Sequence, residues 1–215
     1  MIKGVIFDFD GVIIDSEPLR YKAYRKLFLD EFNVNLPDDY TNILGKRQRE
    51  NIKSFLDMFE LKGDVDKLIK KRRSILDEIF TKQESIIPIK GVLGFIKFLK
   101  KHKIKIAIAS SSSLSYIKPI LKYLKIDNLI DLIVCGEMVK KSKPEPDIFL
   151  LTVERLGLNK CECVIIEDSL NGLLAAKRAG IRCFAITTSF KEEDLRSADF
   201  IFNNFGQRKI FKKIA

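Results

Sequence analysis

The chain has 215 residues and is predicted to be an α/β protein built on a parallel sheet. Short apolar runs, typical of buried strands, recur along the chain with helical patterns between them. This alternation is interrupted once, over residues 15–82, where helical patterns follow one another without a convincing strand. We therefore predict a parallel sheet with helices on both faces and one all-helical insertion. The predicted domains are residues 1–14 with 83–215, and residues 15–82.

The strand-like runs predict the order in which the sheet is built. In chain order they are GVIFDF (4–9), IKIAIAS (104–110), DLIVC (131–135), CVIIE (163–167), CFAIT (183–187) and FIF (200–202). Between the second and third runs, apolar residues at three- and four-residue spacing predict an amphipathic helix. They are Ile117, Ile120, Leu121 and Leu124. Gly157 and Gly180 follow two further helical patterns and mark their ends.

The insertion begins with a good helix start. Ser16 can cap a helix and Pro18 suits its first turn. Two or three further helices are expected, around residues 48–60 and 64–82. Pro88 and Gly91 then mark the return of the chain to the sheet.

The composition excludes some classes of function. The formal net charge is +10, which raises the hypothesis of a nucleic-acid-binding module. The basic residues are scattered among apolar positions, as on solvated helix faces, and the insertion is nearly balanced, with 15 basic and 13 acidic side chains. We therefore expect no nucleic-acid partner. The single histidine, His102, argues against a histidine-based zinc site.

Further patterns bear on location. No apolar stretch reaches membrane-spanning length, so no membrane association is expected. A strand begins almost at the first residue, so no signal peptide is expected. The four cysteines lie in or beside apolar runs, which suits reduced, buried thiols and predicts a cytoplasmic protein. The sequence does not determine the oligomeric state; a monomer is favoured.

Two carboxylates at the end of the first strand are the first chemical signal. Asp8 and Asp10 stand two residues apart, so both side chains can face the same way if the chain remains extended. Such a pair can supply a nucleophile or metal ligand and a proton carrier. The alternative is a solvated strand end whose aspartates only form a turn. The pair alone does not decide between the two.

Further polar residues follow the other predicted strands. They are Ser110, Lys143, Glu167 and Asp168. Ligands of open parallel sheets bind at the carboxyl ends of the strands. Converging carboxylates require a cation, and hard oxygen ligands favour Mg²⁺, often shared with a substrate phosphate. Taken singly, each residue has a structural alternative as a helix cap or a surface charge, but their joint arrangement predicts phosphate chemistry in which Ser110 binds the phosphoryl group and Lys143 neutralises charge.

Four segments of the chain resemble the haloacid dehalogenase-like hydrolase superfamily. In order they are DFDGVIIDSEP, IAIASSS, KSKPEPDIF and VIIEDSLNGLLAAKRAG. The resemblance implies a Rossmann-like sheet of strand order 5-4-1-2-3 with a helical cap domain inserted after the first motif. It implies that Asp8 is the nucleophile and Asp10 the acid/base. It also implies Mg²⁺ bound by Asp8, the Asp10 carbonyl and Asp168, with Glu167 in or next to the shell.

Within the superfamily, the chain resembles the branch of β-phosphoglucomutase and small sugar-phosphate phosphatases. The mutase typically has Lys-Asn where this chain has Ser113 and Leu114, and a histidine where it has Arg20. These departures favour a Mg²⁺-dependent phosphatase that acts through an aspartyl-phosphate intermediate. A phosphosugar mutase of the β-phosphoglucomutase type is the alternative.

The resemblance also suggests which residues contact a small phosphorylated substrate. In the insertion they are Gly45, Arg47 and Arg49, beside Lys46, in a segment where the family places a phosphate- or sugar-contacting loop, together with Glu17. In the sheet domain they are Ser111, Ser112 and Asn171. A solvated helix start is the alternative explanation for the basic residues of the insertion.

Overall fold

A computed structural model describes residues 1–38, 48–81 and 86–214 and confirms the predicted α/β class. The chain forms two compact units. The first consists of Met1–Asp15 and Ile87–Ala215, and the second of Ser16–Ile86. No helix among the described residues has both the length and the apolar character needed to cross a membrane.

The first unit is built on a six-stranded parallel sheet. Its strands are β1 (Gly4–Phe7), β4 (Lys105–Ser110), β5 (Leu132–Cys135), β6 (Cys163–Glu167), β7 (Arg182–Ile186) and β8 (Phe200–Phe202). They lie in the order β5-β4-β1-β6-β7-β8. A separate antiparallel pair joins β2 (Ile14–Asp15) to β3 (Ile87–Pro88).

The predicted order 5-4-1-2-3 was wrong by one strand. When only the six parallel strands are numbered, their order from the β8 edge is 6-5-4-1-2-3. β8 therefore extends the sheet beyond the five expected strands. Phe200 and Ile201 of β8 pair with Phe184 and Ala185 of β7. The Phe184 and Phe200 rings also meet edge to face, with centroids 5.4 Å apart, and cross-strand aromatic contacts of this kind stabilise a short edge strand.

The register of the central strand brings three strand ends together. Phe7, the last residue of β1, is the Cα partner of Ile108 in β4 and of Ile166 in β6. All four residues of β1 are buried, as expected for a strand covered on both faces. The residues that end or directly follow these strands therefore lie at one edge of the sheet.

Helices cover both faces of this sheet. They are α4 (Val92–Lys101), α5 (Leu114–Tyr123), α6 (Asp147–Leu156), α7 (Leu170–Ala179) and α8 (Arg208–Ile214). Ile6 of β1 belongs to the buried cluster that also contains Phe149 of α6 and Leu173 of α7. The next residue, Phe7, points to the other face, where its ring meets that of Phe95 of α4. The alternation of side chains along β1 thus supports both layers.

The second unit is a small helical domain of its own. It contains α1 (Glu17–Phe32), α2 (Gln48–Met58) and α3 (Val65–Thr81), which match the helices expected from the sequence. Phe55 of α2 lies at the centre of its core, with ring centroids 5.4–6.5 Å from those of Tyr21, Tyr24 and Phe28 in α1. α1 ends at Asn33, which adopts a left-handed conformation and closes the helix by backbone hydrogen bonds.

Candidate functional site

Lys143 joins the carboxylates that follow β1 and end β6. It lies in the loop between β5 and α6, and its side chain is 7% exposed. Its Nζ donates to Asp8 Oδ1 at 2.7 Å, to Glu167 Oε1 at 2.6 Å and to the Ala109 carbonyl at 3.2 Å. Burial alone lowers the pKa of Lys143, but the two carboxylates and their hydrogen bonds raise it above its ordinary value. The ammonium group is therefore held in its charged form.

Glu167 is a fully buried anchor for this cluster. One of its oxygens accepts from Lys143, and the other accepts from the backbone N–H of Asp168 and of Ser169 and from the Ser169 hydroxyl, each at 2.9 Å. The same Ser169 hydroxyl oxygen accepts from the Gly172 N–H at 3.0 Å and so caps α7. Glu167 therefore ties the lysine to the start of α7, and both of its oxygens are already engaged.

The other two carboxylates are under electrostatic strain. Burial, opposed by Lys143 and reinforced by Glu167, raises the pKa of Asp8 to about 7. Burial, then the charges of Glu167 and Asp8, raises the pKa of Asp168 well above its ordinary value. One lysine thus faces three buried carboxylates, and the site favours a further positive charge.

The donor set fits a divalent cation. Asp8, Glu167 and Asp168 each offer an oxygen, and these oxygens lie within 4.8 Å of one another. Because the oxygens of Glu167 already have protein donors, Asp8 and Asp168 are the carboxylates best suited to hold a metal directly. The Ser189 hydroxyl donates to Asp168 Oδ2 and so orients this carboxylate. Carboxylate oxygens are the ligands that hard cations prefer.

Each oxygen of the Asp10 carboxylate accepts a hydrogen bond from a hydroxyl group. Its Oδ2 accepts from Ser112 Oγ at 2.7 Å, and its Oδ1 accepts from Tyr116 Oη at 2.9 Å. The Ser112 N–H in turn donates to Ser110 Oγ at 3.1 Å. The serine segment after β4 is therefore connected directly to the loop after β1, and Ser110 is buried at this junction.

Two glycines allow the chain to pass close to the carboxylates. Gly11 has φ +76°, and a Cβ added there would lie 2.0 Å from Asp168 Oδ2. A Cβ on Gly172 would lie 1.8 Å from Glu167 Oε1. Both distances are far below van der Waals contact, so the site requires glycine at these positions.

The structure gives the predicted substrate residues of the sheet unit different surroundings. Ser112 is half-buried and bound to Asp10. Ser111 and Asn171 are exposed, the first just after β4 and the second in the first turn of α7. Their contact with a substrate stays a prediction.

In the helical unit, the candidates that lie within the described residues are engaged in local ion pairs. Arg20 Nη1 donates to Glu17 Oε1 at 3.5 Å, and Arg49 is ion-paired with Asp66. Both pairs are at least partly open to solvent. Gly45 and Arg47, with Lys46, lie outside the described residues.

Sequence reasoning missed two residues of the site. Tyr116, on α5, reaches Asp10 across 106 positions of the chain. Ser189, in the loop after β7, reaches Asp168. The strand-end rule, applied to the run CFAIT, would have pointed to the loop containing Ser189. No such rule identifies Tyr116, because nothing in the sequence pattern distinguishes it from other positions of the predicted helix.

Comparison with known proteins identifies the family of the chain. The family model for haloacid dehalogenase-like hydrolases matches residues 5–186. A Thermotoga maritima protein named phosphorylated carbohydrates phosphatase is 32% identical over 192 residues, which cover 89% of this chain and 88% of that protein. Hexitol phosphatase A of Escherichia coli is 27% identical over 212 residues, which cover 98% of this chain and 95% of that protein.

Solved structures show the same fold. A Thermotoga maritima structure provisionally named β-phosphoglucomutase has a TM-score of 0.82 and 29% identity, with all of both chains covered. A CbbY variant from Rhodobacter sphaeroides, in complex with xylulose-(1,5)bisphosphate, has a TM-score of 0.76 and 27% identity over 96% of each chain. With the family match over residues 5–186, these similarities show that the chain belongs to the haloacid dehalogenase-like hydrolases, among relatives that carry phosphatase names.

Proposed function

We propose that this hydrolase is a Mg²⁺-dependent phosphatase that cleaves a small phosphorylated metabolite, of the sugar-phosphate class, through an aspartyl-phosphate intermediate. The observation that carries the proposal is the buried contact of Asp8 with Lys143, at 2.7 Å, beside the carboxylate of Asp168. A buried anion held by a lysine next to a cation-binding pair suits attack on an anionic ester. The phosphatase names of two relatives support the choice of substrate.

In the first step, an Asp8 oxygen attacks phosphorus and the bond from phosphorus to the ester oxygen breaks. The electron pair of that bond stays on the departing oxygen, which takes a proton from the Asp10 carboxyl group. In the second step, Asp10 takes a proton from water. The water oxygen attacks phosphorus, and the bond to Asp8 breaks to release phosphate.

The remaining residues serve this exchange electrostatically. Lys143 neutralises charge that builds up between Asp8 and the phosphoryl group, and Glu167 holds Lys143 in place. Ser110, whose hydroxyl lies in the same junction, is the proposed phosphoryl-binding group. Mg²⁺ would be held by Asp8, Asp168 and the Asp10 carbonyl, and it would supply further charge neutralisation at the phosphoryl oxygens.

The helical unit is proposed to act as the cap domain that selects the substrate. Arg49 carries the strongest motif argument among its described residues, since a guanidinium group can bind a second anionic group of the substrate. Its ion pair with the exposed Asp66 is weak enough to exchange for such a ligand. We expect Arg49→Ala to lose affinity for a bisphosphate and to keep its affinity for a monophosphate.

Phosphate release is the direct test. With Mg²⁺, the wild-type protein should release inorganic phosphate from at least one member of a panel of hexose, pentose and polyol phosphates. Asp8→Asn is nearly isosteric and should abolish release while the melting temperature stays close to that of the wild type. Asp57→Asn, at an exposed position of α2, is the matched control and should leave turnover unchanged. Turnover by Asp8→Asn would reject Asp8 as the nucleophile, and an inert wild type would reject the substrate class.

A mutase remains the second candidate, because the Thermotoga maritima structure with a TM-score of 0.82 carries that name. The two functions differ only in what accepts the phosphoryl group. Phosphorus NMR of β-glucose 1-phosphate with a bisphosphate primer separates them. Free phosphate is expected for the phosphatase, and accumulation of glucose 6-phosphate would identify the mutase.

A further inference from the structure

We propose that Tyr116 is a positioning residue that, together with Ser112, orients the Asp10 carboxyl group for proton transfer to the leaving oxygen. The proposal rests on the function proposed above, because it assigns Asp10 the role of acid. It is carried by the two hydroxyl contacts, at 2.9 and 2.7 Å, one to each oxygen of the carboxylate.

The backbone at Asp10 is already restrained. Asp10 forms an isolated bridge with Ile14, and the Gly11 N–H donates to the Ile14 carbonyl at 2.8 Å. The Gly11 carbonyl accepts from Thr188 Oγ1 at 2.5 Å. The backbone is therefore held on both sides of the turn, and the orientation of the carboxylate depends on its own two side-chain torsions.

The hydroxyl groups restrain those remaining torsions. Because each oxygen of Asp10 has its own donor, rotation of the carboxylate would break at least one hydrogen bond. The two donors also belong to one short segment, since Ser112 lies two residues before α5 and Tyr116 lies in its first turn. The carboxylate is thus fixed relative to α5 and the loop that leads into it.

Tyr116 is itself well supported. Its ring meets that of the fully buried Phe9 edge to face, with centroids 5.7 Å apart. The helix that carries it is anchored by Ile117 and Ile120, which are buried. A hydroxyl held by a packed ring and a packed helix can fix the direction of an acid to the accuracy that proton transfer needs.

The same hydroxyl suits both protonation states of Asp10. A phenol O–H can donate to an ionised carboxylate and equally to the oxygen of a carboxyl group that does not carry the proton, which leaves the Asp10 proton free for the departing oxygen. When the ester bond breaks, the Asp10 proton moves to the departing oxygen, its electron pair stays on Asp10, and the carboxylate still accepts from Tyr116. The contact can therefore persist through the step.

The test compares two esters in Tyr116→Phe, with Mg²⁺ present. The sugar released from a sugar phosphate would leave as a basic alkoxide and needs a proton from the acid. The p-nitrophenolate released from p-nitrophenyl phosphate is stable and does not. The quantity measured is kcat/KM, because it reports the steps up to release of the alcohol, before water attacks. We expect kcat/KM for the sugar phosphate to fall about 10- to 100-fold, and that for p-nitrophenyl phosphate to change less than about two-fold.

Tyr123→Phe is the matched control, since it removes the same hydroxyl at an exposed position of the same helix. Both esters should react with this variant as with the wild type. The ratio of the two kcat/KM values does not depend on the fraction of folded enzyme, so it remains informative if Tyr116→Phe is less stable. An unchanged ratio overturns the positioning role. A wild type that hydrolyses neither ester would instead overturn the proposed function itself.

Discussion

Lys143 is the cation that donates hydrogen bonds to both Asp8 and Glu167, and Lys143→Met removes it. Methionine preserves most of the buried aliphatic volume, so the loss of charge dominates. Nζ lies 2.6–2.7 Å from both carboxylates, and the side chain is 7% exposed. Breaking a buried ion pair by removing one partner typically costs about 3–5 kcal/mol. We expect the free energy of unfolding to fall by about 3 kcal/mol above neutral pH, at the lower end because protonation can relieve the remaining carboxylates.

The loss should depend on pH with a definite sign. Lys143 lowers the pKa of Asp8, which is about 7 in the folded wild type against 3.8 as its ordinary value. Without the lysine this pKa rises further, so the folded variant retains a proton above pH 7 that the unfolded chain has lost. Stability then falls as pH rises through that range, by up to about 1.4 kcal/mol per pH unit. Below pH 7 the wild type already holds the same proton, so the two proteins differ less.

Urea unfolding at pH 6 and pH 8.5, in the presence of EDTA, measures both effects. Lys141→Met, at an exposed position of the same loop, is the control and should unfold like the wild type at both pH values. A loss below about 1 kcal/mol at pH 8.5 would contradict the energy assigned to the buried pair. An equal loss at the two pH values would contradict the role given to the protonation of Asp8.

Three further outcomes follow from the site and its surroundings. Gly172→Ala should lower the free energy of unfolding by about 2 kcal/mol or more, because the added Cβ would lie 1.8 Å from Glu167 Oε1. Gly94→Ala is the control: there is open space around Gly94, so this change should not destabilise the protein. Mg²⁺ should raise the melting temperature more at pH 8 than at pH 5.5, because burial raises the pKa values of Asp8 and Asp168. Asp168→Asn should reduce this difference and stabilise the metal-free protein at pH 8. A thiol reagent should modify the exposed Cys161 rapidly, and the buried Cys135, Cys163 and Cys183 only after unfolding. Rapid reaction of more than one thiol would contradict the burial of these three cysteines.

Local patterns along the chain were enough to predict the class of fold and the edge of the sheet at which the polar residues meet. The apolar runs and the helical patterns between them predict a parallel sheet, and the strand-end rule places Asp8, Ser110, Lys143 and Glu167 at one edge of it. This succeeds because strand period, helix period and the position of loops at the end of a strand are local properties of the chain. The family motifs then gave these residues their expected roles.

The contacts that each of these side chains makes could not be predicted from local patterns, because they depend on the tertiary structure. Strand and helix patterns do not distinguish Glu167 from Asp168 as a metal ligand, and only the family resemblance favoured Asp168. Only the fold shows that Lys143 and the start of α7 occupy both oxygens of Glu167, whereas Asp168 contacts the Ser189 hydroxyl. Likewise, only the packing of α5 brings Tyr116 to Asp10. Such contacts join residues far apart in the chain, and their partners depend on helix docking and side-chain torsions that no local pattern encodes.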